Sequence, residues 1–104
     1  MQTIIVTIDI KKLDNIDFGL HDSIVKRAAE ASGGKVQDGD NGYFSPTGIG
    51  VWLSAENAAE SARLLVNLFH SEKFCGNDLT GAAEIYISEK EHALLFDCTK
   101  VYPN

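Results

Sequence analysis

Basic residues are scarce in this chain: nine lysines and arginines stand against fifteen aspartates and glutamates, for a net charge of −6. A phosphate backbone would be repelled by that field, which argues against nucleic acid as a partner, whereas a basic protein would be steered toward it. Long apolar runs are missing too, and none approaches the ~18 residues that a membrane-spanning helix needs. Met1 is not followed by a basic segment, an apolar stretch and a small-residue cleavage site, so a cytoplasmic address is expected in place of a secretory one. Cysteine is limited to Cys75 and Cys98, which in a reducing compartment read as packed thiols. Repeats, linkers and low-complexity tracts are lacking, and 104 residues with 44% hydrophobic side chains are expected to fold as a single domain, 1–104.

What is present is a regular order of elements. Residues 3–10 alternate, with Ile4, Val6, Ile8 and Ile10 on one face and Thr3, Ile5, Thr7 and Asp9 on the other, the period of a half-buried strand. Asp17 is expected to cap a helix running to about Ser32, its apolar stripe made of Leu20, Ile24, Val25, Ala28 and Ala29, with Gly33 and Gly34 ending it. Residues 35–37 begin a second strand, which the turn-rich residues 38–42 interrupt as a loop or bulged hairpin before Tyr43 and Phe44. Residues 48–53 predict a third strand with Ile49, Val51 and Leu53 inward. Ser54 is expected to cap a second helix ending near Ser71, with Ala58, Ala62, Leu65, Val66 and Phe69 on its stripe. Residues 83–88 and 92–98 predict a final strand pair around the polar turn 89–91, leaving 100–104 as a tail. The order of strand, helix, strand pair, helix, strand pair is that of an α+β domain: a ferredoxin-like βαββαβ sheet with an extra C-terminal strand and two helices packed on one face.

Catalytic and metal chemistry are poorly represented. Asp38, Asp40 and Gly42 resemble part of a calcium loop, but the glycine is misplaced and Ile49 stands where a bidentate glutamate belongs. His70, Cys75, His92 and Cys98 offer nitrogen and sulfur ligands without the close pair that marks a zinc site. Neither cysteine sits in a motif that would activate a nucleophile, so enzymatic function, metal and cofactor are not expected. Residues 47–53 echo the glycine spacing of an RNA-recognition strand, yet Thr47 replaces its cation and Ile49 and Val51 its stacking aromatics. Alternation sends Trp52 and Tyr86 to the sheet face opposite the core, where Asp9 and Glu84 accompany them, with Asp38 and Asp40 in the nearby loop. Those six residues, Trp52 and Tyr86 as anchors and Asp9, Asp38, Asp40 and Glu84 as charges, form the expected partner-binding surface, unless a loop or the Tyr102 tail covers Trp52.

Size, acidity and the ferredoxin-like order together resemble the small immunity proteins that bacteria pair with toxin domains of contact-dependent growth inhibition and related polymorphic systems. That resemblance implies a protein that binds and occludes a cognate toxin domain, often a basic nuclease, with carboxylates taking the place of substrate phosphates. The same order also resembles ACT-like regulatory domains, which implies a small ligand held between the first strand and first helix, near Asp14, Asn15 and Asp17, commonly in a homodimer.

Overall fold

The structure, a computed structural model, describes residues 1–103. Five strands form one antiparallel sheet: β1 (Gln2–Asp9), β2 (Val36–Phe44), β3 (Gly48–Ala55), β4 (Ala83–Ser88) and β5 (Thr99–Tyr102). Their spatial order is β2-β3-β1-β4-β5. Helix α1 (Leu20–Ala31) joins β1 to β2 and helix α2 (Ala58–Ser71) joins β3 to β4, so each crosses over one intervening strand. The chain is thus an α+β protein with two helices and a five-stranded sheet, and no described helix is long and apolar enough to cross a membrane.

Alternation in β1 places Ile4, Val6 and Ile8 in a core completed by Leu20, Ile24 and Ala28 of α1 and Ala58, Ala62, Leu65 and Phe69 of α2. These side chains are removed from water almost completely, and each large one contributes roughly 1.5–3 kcal/mol by burial. The loop after α2 closes the end of this core with Phe74 and Leu79. It is tied to the segment before α1 by Asn77, fully buried, whose Oδ1 accepts the Asn15 N–H at 2.8 Å while its Nδ2 donates to the Asn15 carbonyl at 2.7 Å.

Several local expectations are corrected. Asp17 does not cap α1; its Oδ1 accepts the Gly19 N–H at 2.7 Å, forming a turn that delays the helix to Leu20. Ser54 does not cap α2, because pairing with Thr3 keeps it extended within β3. The cap is instead Asn57, whose side-chain oxygen accepts the Glu60 N–H at 3.0 Å. Of the loop or bulged hairpin expected at residues 38–42, the structure forms the bulge: Asp38 pairs with Leu53 and Gly42 with Val51, so three residues lie opposite Trp52 alone within a continuous β2.

The largest difference lies at the C-terminal end. Residues 92–98 are not a strand; His92 adopts a positive φ of 53° and Leu95–Asp97 form a 3₁₀ turn, while β5 is made from the expected tail. The physical reason is Trp52, whose indole N–H donates to the Ala93 carbonyl at 3.0 Å. Thr3 Oγ1 fastens the same segment by donating to the Lys90 carbonyl and accepting the Ala93 N–H. Residues 89–98 therefore lie as a strap across the outer sheet face, satisfying an indole donor that a straight strand at 92–98 would leave beneath no acceptor.

Candidate functional site

Antiparallel registers align Tyr86, Ile5 and Trp52 in a row across the outer face of β4, β1 and β3. The row is covered at one end, Ile5 fully and Trp52 to 9% exposure, by the strap. Trp52 is therefore on the expected face but is held inside the molecule, packed edge-to-face with Tyr43 at a ring-centroid separation of 6.1 Å. Tyr86 is half-buried and donates from its hydroxyl to Glu84 Oε1 at 3.1 Å. Burial, then that hydrogen bond, pushes its phenol above the ordinary range. Glu84 is in turn paired with Lys100 at 3.3 Å, and Asp9 lies in a groove shared with Lys12 and Glu84. The outer-face acids Glu84 and Asp9 thus stand beside cations, and the strap that lies over this face carries Phe96, 83% exposed.

Asp38 and Asp40 lie elsewhere. Leu53 faces the helices, and Asp38 opposite it takes the same side. The six sequence-derived candidates therefore divide: Trp52, Tyr86, Asp9 and Glu84 share the outer face, whereas Asp38 and Asp40 open on a cleft of about 450 Å³ between the β2 bulge and the start of α1. Asp17, Phe18, His21, Phe44 and Ile49 complete that cleft. Phe18 and Phe44 are its distinctive part, since they remain 82% and 47% exposed with ring centroids 4.9 Å apart and planes inclined by 39°.

Each wall has a local cause. The bulge turns the chain through Asp40, at φ 58°, and is fastened by the Asp40 N–H donating to Asp38 Oδ1 at 2.9 Å and the Gly42 N–H donating to Asn41 Oδ1 at 2.8 Å. Gly42 is required by close approach: a Cβ there would meet the Gly50 carbonyl at 2.8 Å and His21 Nε2 at 2.9 Å. The missing side chain lets the His21 ring lie against β2 and draws the first turn of α1 to the bulge. The glycine at 50 serves the opposite face, where the Tyr43 ring occupies the space of its Cβ, so the glycine spacing within residues 47–53 accommodates packing and forms no stacking platform.

Charge distinguishes this cleft from the rest of the surface. Neither lysine nor arginine lines it, and no ion pair to Asp17, Asp38 or Asp40 is formed among the described residues. Phe18, His21 and Phe44 are outside the sequence-derived set, Phe44 being read there only as a strand residue. For Phe18 the available signal was an aromatic in the polar run before α1, off the helix stripe of Leu20 and Ile24 and without an alternation partner.

The thiols offer a contrasting environment. Cys75 and Cys98 are both free and half-buried. Burial, aided by the Asp97 charge, pushes the Cys98 thiol up, away from the thiolate a nucleophile needs. No group of three or more His, Cys, Asp or Glu side chains is placed to hold a metal ion among the described residues. Compared with protein-family models, curated proteins and solved structures, the chain matches none.

Proposed function

We propose that this chain is a cytoplasmic inhibitory binding protein of the immunity type, which docks on a basic toxin domain, a nuclease above all, and occludes its active site. The observation that carries the reading is the solvent-facing Phe18–Phe44 pair beside Asp17, Asp38 and Asp40 in a cleft without cations. Exposed aromatics supply apolar contact that slows dissociation, and unpaired carboxylates speed encounter with a basic surface. In this reading the docking centre is Phe18, Phe44, Asp38 and Asp40, with Asp9, Glu84 and Tyr86 as a separate polar face and Trp52 as its internal support. The split strand order is taken as a ferredoxin-like βαββαβ sheet extended by β5. An ACT-like ligand site is less well supported, because Asn15, at its centre, is already engaged through backbone and side chain with Asn77 and Cys75.

The test is affinity capture with the tagged chain from lysate of its source organism, at low and high salt, using wild type and a Phe18→Ala, Phe44→Ala double variant. The expected result is a basic protein held by the wild type and released by the variant, whose purified activity is blocked by one equivalent of this chain. Capture that is indifferent to both phenylalanines, or a captured protein whose activity is untouched, would overturn the reading.

A further inference from the structure

The geometry of the same cleft points to the side chain it receives. Phe18 and Phe44 are inclined to one another, so their rings do not seal each other's faces, and Phe18 is 82% exposed. A flat cation can stack on such a face, and the planar guanidinium of arginine does so better than the compact, strongly hydrated ammonium of lysine. Asp17 and Asp38 each commit one named oxygen to a backbone N–H, Gly19 for the first and Asp40 for the second. Their other oxygens, and both oxygens of Asp40, accept no hydrogen bond among the described residues. A guanidinium carries five N–H donors in a rigid fork, which suits several acceptor oxygens set beside one aromatic wall. The cleft's 450 Å³ leaves room for such a group.

We infer that the cleft is an arginine-recognition site: a single arginine of the basic partner stacks its guanidinium on Phe18 and Phe44 and directs its N–H groups to the carboxylates of Asp38, Asp40 and Asp17. This rests on the docking role proposed for the cleft, and it adds a residue-level specificity that general acidity does not provide. Acids elsewhere either face a cation, as Glu72 does Arg27 and Glu84 does Lys100, or lack an exposed aromatic pair beside them.

The experiment is an amide NMR titration of the full chain with N-acetyl-arginine amide, the uncharged citrulline analogue and N-acetyl-lysine amide as probes. Arginine is expected to shift the amides of residues 18–21 and 38–44 saturably, about fivefold more tightly than lysine, and citrulline to leave them in place. Joint Asp38→Asn and Asp40→Asn substitution is expected to weaken arginine about tenfold. Phe44→Ala should erase the preference of arginine over lysine, and the dispersion of the same spectra reports that each variant remains folded. Equal binding of arginine and citrulline, no preference over lysine, shifts scattered over the acidic surface, or no shift at all would each overturn arginine recognition. If a toxin domain is nevertheless blocked through Phe18 and Phe44, docking stands and only the arginine assignment falls. If arginine binds at the cleft while no activity is blocked, the arginine site stands and the inhibitor role falls.

Discussion

Trp52, the only tryptophan in the chain, illustrates how much of a residue's fate is local. Its neighbours Val51 and Leu53 are core residues of β3, so alternation is enough to put its indole on the other face. What lies above that face is decided by Ala93, far along the chain, and by Thr3 holding the strap in place. Thr3→Val removes a hydroxyl that both donates and accepts in a buried position, leaving two backbone groups short of a partner. The variant is expected to lose about 1–3 kcal/mol in urea unfolding. Because the strap lies over Trp52, the indole fluorescence should become more open to acrylamide in the variant; unchanged quenching would show that the strap is held by other contacts. The docking role proposed for Asp38 and Asp40 belongs to the same scale and works through charge. If the proposed docking on a basic partner holds, their joint replacement by Asn is expected to slow that association by roughly threefold near 20 mM salt, the difference vanishing at about 1 M. Equal association rates at low salt would remove the bulge from the interface.

At the scale of elements, the strands and helices arise from patterns that a short window of sequence contains. The stripe of Ala58, Ala62, Leu65 and Phe69 is enough to place α2, and the glycine pair 33–34 is enough to end α1. Boundaries are less legible, since Ser54 and Asn57 are both competent caps and only sheet pairing excludes the first. Asn57→Ala is accordingly expected to cost about 1 kcal/mol in chemical denaturation. Ser54→Ala should change stability by no more than about 0.5 kcal/mol. Reversal of that order would mean that α2 begins where its sequence alone suggests. The last strand shows the opposite limit: Leu94 and Phe96 alternate with Ala93 and Leu95 as a strand would, yet both are exposed while Ala93 is buried. Alternation identifies a candidate strand but not the hydrogen bonds that compete for its backbone.

Across the whole molecule, α1 is joined to the residue ending α2 by Arg27 and Glu72, with two guanidinium nitrogens donating to the carboxylate at 2.8 to 3.1 Å. Those hydrogen bonds hold the Glu72 carboxyl below its usual range. A carboxylate whose folded-state value is depressed stabilises the fold above its unfolded value and loses that contribution as pH falls through the folded one. The Arg27–Glu72 contribution should therefore be complete above about pH 4.5 and disappear on acidification below it. Arg27→Gln is expected to lower the urea midpoint at neutral pH, with wild type and variant converging in acid. Midpoints separated equally at every pH would assign the loss to packing of the Arg27 stem instead of to the ion pair. The whole chain carries a net charge of −6, which favours approach of a basic surface over an acidic one without naming contact residues.

The sequence by itself determined the α+β class, the three strands with clear alternation, β1, β3 and β4, the two helices with their apolar stripes, and the acidic composition. These follow from short-range physics: the period of apolar residues selects the element, and counting charges needs no coordinates. Tertiary structure decided which distant segments meet. It carried residues 89–98 over Trp52, kept Ser54 in the sheet, and separated Asp38 and Asp40 from Tyr86 and Glu84. It also brought Phe18, from the turn before α1, against Phe44 at the edge of the sheet. A local pattern records that a side chain is apolar or charged; whether it is covered or left facing solvent depends on hydrogen-bond donors, strand order and bulges contributed by residues far away in the chain.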